Sequence, residues 1–215
     1  MGTLYSFARI LLGGAFPLVT GWEVTGRDDV PRSEGLIVAS NHISFWDPPL
    51  IGTALPRDCH YLAKEELFDT PVLGPLIRRC NAIPIRRGMA DLSGMSRAID
   101  VLRRGEALLM FPEGSRMRDG ELHPARPGVG MIAVSGDVDI LPCFISGSSR
   151  PSGWLWRSSR VRISFGTTRP WRELAGADTD LTPGRALYQR IGDAVMREIT
   201  GLKAEQRPSA SRGAA

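Results

Sequence analysis

Residues 36–49 read LIVASNHISFWDPP, an apolar run that passes directly into a polar turn. A short apolar run bounded by turn residues is typical of a buried strand. Asp47 followed by Pro48 is typical of a helix start, with Asp at the N-cap and Pro at the first helical position. His42 is therefore predicted at the carboxyl end of a strand, which is the edge of an α/β sheet where ligands bind.

Four residues separate His42 from Asp47 across the predicted turn. A His beside a carboxylate is the minimal general base, because the imidazole takes a proton and the carboxylate fixes its tautomer. The alternative is that Asp47 only caps its helix and His42 is a satisfied loop residue, since Asp is a common N-cap. This stretch alone leaves both interpretations open.

A second stretch, residues 107–116, reads ALLMFPEGSR and also joins a buried-strand run to a polar turn. In this order the two stretches resemble the glycerolipid acyltransferase family, of the lysophosphatidic acid acyltransferase type. Its first motif is Asn-His, four residues and Asp, which matches the run from Asn41 to Asp47. Its third motif is Phe-Pro-Glu-Gly-Thr-Arg, matched here with Ser115 in place of Thr. The resemblance spans roughly residues 35–145.

The resemblance implies that His42 is the catalytic base and that Asp47 orients it. The residues that it places at the acceptor and its phosphate are Arg86, Arg87, Glu113, Gly114, Ser115, Arg116 and Arg126. Arg87 falls on the family's phosphate-binding Arg, whereas Arg86 replaces the Asp that usually precedes it, so either arginine can hold the anion. Arg126 falls on a family Lys position and is alternatively a surface residue.

The resemblance also implies the reaction. A fatty acyl group would pass from an acyl thioester, carried by coenzyme A or acyl carrier protein, to the free hydroxyl of lysophosphatidic acid, giving phosphatidic acid. No cofactor and no metal are expected. The expected partners are the lysophospholipid acceptor, the acyl carrier and the membrane surface, without nucleic acid. The expected location is the cytoplasmic face of the cell membrane, as a peripheral or monotopic protein.

Three alternatives remain open from the sequence. The same chemistry can act on another lysolipid or lipid acceptor, and the same His-Asp pair can hydrolyse a thioester with water. The third alternative is a non-catalytic basic protein that binds membrane or nucleic acid. The formal net charge of +4 does not distinguish them, because the arginines that carry almost all of the positive charge suit any anionic partner.

The composition is that of a globular protein, with 42% hydrophobic and 23% charged residues among 215. The cysteines are Cys59, Cys80 and Cys143, without a Cys-x-x-Cys pair, which argues against a disulfide framework and against a zinc site. The sequence has no Gly-x-Ser-x-Gly motif, and the spelling that comes nearest, around Ser96, falls inside a predicted helix. The sequence thus gives no support to a serine hydrolase.

The predicted fold is a single α/β domain with a mostly parallel central sheet flanked by helices. We predict an N-terminal membrane-associating helix at 1–21, an acyltransferase domain at 22–203 and a disordered tail at 204–215. The first helix, interrupted by glycines and a proline, is predicted to lie in the membrane interface; alternatively it covers the core. The loop at 146–160, with Trp154 and Trp156, suits a membrane interface or packs back on the domain.

Two amphipathic helices are predicted from apolar residues that recur at steps of three and four. The first covers residues 91–104, with a stripe of Leu92, Met95, Ile99 and Leu102 facing the core. The second covers residues 184–202, with a stripe of Leu187, Ile191, Val195 and Ile199. Helices of this kind flank a parallel sheet, because each crossover between parallel strands needs one.

Overall fold

The computed structural model describes residues 3–86, 91–154, 159–177 and 179–206. These residues contain seven strands and seven α-helices. The strands are β1 Glu23–Thr25, β2 Leu36–Ser40, β3 Cys59–Lys64, β4 Ala82–Ile85, β5 Ala107–Met110, β6 Asp139–Ser146 and β7 Arg162–Phe165. The helices are α1 Thr3–Thr20, α2 Asp47–Ala54, α3 Leu73–Arg79, α4 Leu92–Arg103, α5 Gly128–Gly136, α6 Trp171–Ala175 and α7 Arg185–Gln206.

The strands form one sheet in the order β1-β7-β6-β2-β5-β3-β4. The five strands from β6 to β4 run parallel, whereas β7 is antiparallel to β6, and β1 pairs with β7 in parallel. Strand β2 lies near the middle, and all five of its residues are buried. The predicted α/β domain with a mostly parallel sheet is therefore confirmed.

The sheet separates two hydrophobic cores, because successive residues of a strand point to opposite faces. On β2, Ile37 and Ala39 belong to the core under α4, α5, α6 and α7, whereas Leu36 and Val38 belong to the core under α1 and α2. The stripe predicted for α7 is buried at all four positions. Burial on both faces explains why the central strands β2 and β5 are continuous apolar runs.

Helix α4 departs from the prediction at one residue. Asp91 is its N-cap and accepts from the Gly94 N–H at 2.9 Å. Leu92, predicted as core, is 77% exposed. The reason is that the first turn of α4 approaches the backbone of Pro84 through Gly94, where a Cβ would lie only 3.0 Å from the Pro84 carbonyl oxygen. Leu92 lies two residues away, about 200° around the helix, and therefore faces outward.

Helix α1 docks on α2 through one side. Tyr5 and Phe16 are buried, and Arg9 pairs with Asp58 at 3.0 Å. Within the described residues, no helix has the length and apolar character needed to cross a bilayer. The interfacial location of α1 stays a prediction.

At the other end of the chain, helix α7 extends to Gln206, three residues past the domain boundary predicted at 203. The rest of the predicted tail, residues 207–215, lies outside the described residues.

Candidate active site

His42 lies two residues beyond the carboxyl end of β2. Its Nδ1 is 2.8 Å from Asp47 Oδ2, and both residues are buried. A buried carboxylate at this distance holds the proton on Nδ1, which leaves Nε2 unprotonated in the neutral ring. Nε2 makes no hydrogen bond within the described part of the chain, so it is the nitrogen available to a substrate.

Asp47 binds more than the imidazole. Its Oδ2 also accepts from the backbone N–H groups of Ile43 and Ser44, both at 2.7 Å, and its Oδ1 accepts from the Ser148 hydroxyl at 2.5 Å. Helix α2 begins at Asp47, and its N-cap residue is Trp46, without a side-chain cap. The predicted N-cap role of Asp47 is therefore wrong, because the carboxylate turns back into the loop that carries His42.

Two distant segments fix this loop. The Asn41 side chain pairs with the backbone of Ile145 on β6, donating to its carbonyl at 3.0 Å and accepting from its N–H at 2.8 Å. The buried Glu113 carboxylate accepts from the N–H of His42 at 2.9 Å and from that of His123 at 3.1 Å. Burial raises the pKa of Glu113 above its usual range, against the lowering effect of these N–H donors. Glu113 thus holds the loop in place.

The plane of the His42 ring is set by Phe111. The two rings stack with centroids 3.8 Å apart and planes 14° from parallel. Phe111 follows β5, and β5 pairs directly with β2, so the two motifs meet because their strands are neighbours. The imidazole is thereby held between an aromatic face and a buried carboxylate.

Two of the predicted arginines flank the turn after β5. The Arg116 guanidinium lies 3.3 Å from the centre of the Phe45 ring, which is in the His42 loop. Gly114 has a positive φ of +75°, and a Cβ there would lie 2.6 Å from Arg126 Cδ. Only glycine suits this position, because it permits both the backbone angle and the passage of the Arg126 side chain. Ser115, in the same turn, is partly buried.

Arg86 is placed differently. It is exposed at the end of β4, three strands from β2 or about 14 Å at ordinary strand spacing. Its Nε is 2.5 Å from Glu65 Oε2, and this partner raises the pKa of the guanidinium. The structure therefore brings His42, Asp47 and Glu113 together and pairs Arg86 with a carboxylate. The predicted site residue Arg87 lies outside the described residues.

Sequence reasoning missed Ser148, which lies in a loop with several other serines that nothing local distinguishes from it. The loop is held on the domain by Trp154, which is buried, donates from Nε1 to the Gly147 carbonyl at 3.1 Å and packs edge-on against Trp46. At Trp154 the loop thus packs back on the domain. Trp156 lies outside the described residues.

Metal-binding clusters, cysteine thiols and cavities were compared among the described residues. None of them form a cluster of three or more His, Cys, Asp or Glu side chains suited to a metal. Burial raises the pKa of Cys59 to about 11 and that of Cys143 to about 12, so both thiols stay protonated and unreactive at neutral pH. A cavity of about 820 Å³ is lined by residues that follow β7, such as Thr167, and by the second half of α7, and none of the predicted site residues lines it.

Comparison with known proteins gives consistent matches. A family model described as Acyltransferase matches residues 21–146. A 1-acyl-sn-glycerol-3-phosphate acyltransferase of Bacillus subtilis is 27% identical over 93% of this chain and 97% of its own length. A lyso-ornithine lipid O-acyltransferase of Pseudomonas aeruginosa is 33% identical over 58% of this chain and 48% of its own.

A solved structure also matches. It is the 1-acyl-sn-glycerophosphate acyltransferase PlsC from Thermotoga maritima, which is 26% identical to this chain. The two structures superpose with a TM-score of 0.72, over 96% of this chain and 82% of the other. The similarity therefore extends over nearly the whole of this chain.

Proposed function

Because the chain belongs to the Acyltransferase family, we propose that it transfers a fatty acyl group from an acyl thioester to the free hydroxyl of lysophosphatidic acid, giving phosphatidic acid. The observation that carries the proposal is the buried His42–Asp47 pair at the carboxyl edge of the parallel strands. Its supporting hydrogen bonds leave one ring nitrogen for a substrate. The similar proteins of Bacillus subtilis and Thermotoga maritima, named for the same acceptor, give further support.

In the proposed mechanism His42 Nε2 removes the proton of the acceptor hydroxyl as its oxygen attacks the thioester carbonyl carbon. The carbon–sulfur bond then breaks, and the imidazolium returns its proton to the departing thiolate. Asp47 stabilises the imidazolium between these two steps. A positioned base is worth roughly 10²–10⁴ in rate. The thioester is already activated, so the mechanism needs no covalent enzyme intermediate and no cofactor.

The phosphate of the acceptor is proposed to bind to the arginines beside His42. Arg116 is pre-oriented by the Phe45 ring, and Arg126 crosses the turn at Gly114. A guanidinium binds a phosphate through two parallel hydrogen bonds, which fixes the distance from phosphate to hydroxyl. Arg87 keeps its proposed role from the motif, whereas Arg86 contributes less because Glu65 already pairs with it.

Helix α1 is proposed as the membrane-associating segment of an acyltransferase domain that covers residues 22–203. Its inner side docks on the domain, and its outer side exposes Phe7, Ile10, Leu11 and Leu18. An exposed apolar helix face of this kind suits the headgroup boundary of a bilayer. The proposed location is the cytoplasmic face of the membrane, where acyl-coenzyme A or acyl carrier protein supplies the donor.

A second acceptor is favoured by one comparison. The similar protein of Pseudomonas aeruginosa is named for lyso-ornithine lipid, and Arg86 stands where the glycerolipid motif has Asp. The same His42 chemistry on an amino-acid-derived lysolipid is therefore the second candidate. It differs from the first only in the group that the arginines bind.

The test is thiol release from acyl-coenzyme A by the purified protein in detergent. The acceptors are lysophosphatidic acid, lyso-ornithine lipid, a monoacylglycerol and none, each with wild type and His42→Ala. Release that requires both lysophosphatidic acid and His42 is expected. Release with lyso-ornithine lipid alone selects the second candidate, and release without acceptor indicates a thioesterase. Full activity of a folded His42→Ala variant would contradict the mechanism.

A further inference from the structure

Residues 71–76, at the start of α3, read PVLGPL and are almost entirely exposed. The exposed members, here called the α3 patch, are Pro71, Val72, Leu73, Pro75 and Leu76. Val72 is 83% exposed and Leu76 50%. Single exposed apolar residues are ordinary on a soluble surface, whereas a contiguous apolar patch marks an interaction site.

The inner side of α3 fixes the outward direction of the patch. Gly74 is buried, and a Cβ there would lie 2.2 Å from the Phe68 carbonyl oxygen. Arg78 donates to the same carbonyl at 3.1 Å, and its guanidinium lies over the Phe68 ring. Rotating the helix to bury Leu76 would break these contacts and force a side-chain-bearing residue against the Phe68 backbone. The exposure of the patch is thus imposed by its anchoring.

The α3 patch lies at the same edge of the sheet as the candidate base. A short 3-10 turn, Glu65–Asp69, connects α3 to the carboxyl end of β3. Strand β3 is two positions from β2, or about 10 Å at ordinary strand spacing. The His42 loop itself exposes Phe45 by 69%. Two separate segments therefore present apolar side chains at the edge where a substrate must enter.

We propose that the α3 patch is a second lipid-contacting surface, distinct from α1, which enters the headgroup boundary of a phospholipid bilayer and brings the mouth of the His42 site against it. The helix ends in Arg78 and Arg79, with Arg79 exposed. An apolar face bordered by cations suits a bilayer with anionic headgroups. The inference rests on the proposed function, in which the acceptor is a lipid that must reach His42 from the bilayer.

The experiment compares two substrate pairs. One is long-chain lysophosphatidic acid in vesicles of phosphatidylglycerol and phosphatidylcholine, with a long-chain acyl-coenzyme A. The other is a short-chain, water-soluble lysophosphatidic acid with a short-chain acyl-coenzyme A. The variant is the full chain with Val72→Glu and Leu76→Glu, and the matched control is Leu181→Glu, whose side chain is 40% exposed in the segment before α7.

The variant is expected to lose about tenfold in rate on vesicles and less than about twofold on the soluble pair, because only the vesicle reaction needs the bilayer contact. The control should match wild type on both. Equal loss on both pairs would show that the patch acts in the reaction site or in a contact with protein, and not through the bilayer. No loss on vesicles would show that lipid does not cover the patch. Either result overturns the proposal.

Failure of the proposed function is recognised separately. In that case wild type would be inactive on both pairs. Co-sedimentation with the same vesicles then tests the patch alone, with weaker binding of the variant expected and equal binding contradicting the proposal.

Discussion

The base and the arginines of the candidate site differ in how deeply they are buried. Asp47 is fully buried and accepts four hydrogen bonds, one of them from His42, whose ring is also stacked on Phe111. Arg126 is exposed, and Arg116 is partly exposed over the Phe45 ring. The base is thus buried and hydrogen-bonded within the protein, whereas both arginines reach solvent at least in part.

The difference in burial follows from the proposed roles of the base and of the arginines. A general base must be in the correct tautomer and orientation before the substrate arrives, and buried hydrogen bonds provide that order. A buried guanidinium without an anion would cost several kcal/mol, so a phosphate-binding cation is best left in solvent until the phosphate itself arrives. Substitutions on the buried side should therefore affect the chemical step, and those on the exposed side should affect acceptor affinity.

The largest expected effect is that of Asp47→Asn. A neutral amide cannot stabilise the imidazolium, and its oxygen is a weaker acceptor than the carboxylate for the N–H groups of Ile43 and Ser44. We expect kcat to fall by about 10³-fold with little change in KM. The measurement is steady-state kinetics, with thermal unfolding to verify the fold. A folded variant with near-normal kcat would remove the distinction between the two sides.

A smaller effect is expected for Ser148→Ala, which removes the donor to Asp47 Oδ1 and leaves that buried oxygen without its partner. We expect kcat to fall by about tenfold with KM unchanged, because the loss acts through the orientation of Asp47. Ser164→Ala is the matched control, since Ser164 is a buried serine of β7 that also forms side-chain hydrogen bonds. Equal loss in both variants would indicate a general packing effect.

On the exposed side, Arg116→Gln should raise KM for a phosphate-bearing acceptor by about tenfold, which corresponds to ~1.4 kcal/mol, and leave kcat almost unchanged. Arg86→Gln should raise the same KM by less than about threefold, because Glu65 already pairs with Arg86. Measurements with lysophosphatidic acid and a monoacylglycerol distinguish the two. Similar effects of Arg116→Gln on the charged and uncharged acceptors would argue against phosphate binding.

The smallest expected effect concerns pH and Glu113. Burial raises the pKa of this carboxyl, so the folded state holds its proton more tightly than the unfolded state. The free energy of unfolding should therefore fall as pH rises from the ordinary Glu value of about 4.3 towards the raised one. In the Glu113→Gln variant the denaturant midpoint should change less with pH over this interval, as measured between about pH 4 and 7. Parallel profiles of wild type and variant would contradict the expectation.

Much of the fold was predictable because its signals are local. The strands β2 and β5 and the helix α7 each carry their own apolar pattern, Asp47 and Pro48 mark the start of α2, and the two motifs follow β2 and β5 directly. Helix α6, with only five residues, is too short to show a helical period and was missed. The exposure of Leu92 was also missed, because periodicity shows which residues are apolar and not which side a neighbouring backbone approaches.

The candidate site also has a part that the sequence determined and a part that only the tertiary structure decided. By itself the sequence determined that His42 and Asp47 share one turn, because the strand before them and the helix start after them are encoded within a few residues. Only the tertiary structure decided that Glu113 and Ser148 hold that turn, and that Arg86 pairs with Glu65. These partners lie 71, 101 and 21 residues away from the groups that they bind. Such contacts depend on which parallel strands become neighbours, and no local spacing specifies that order.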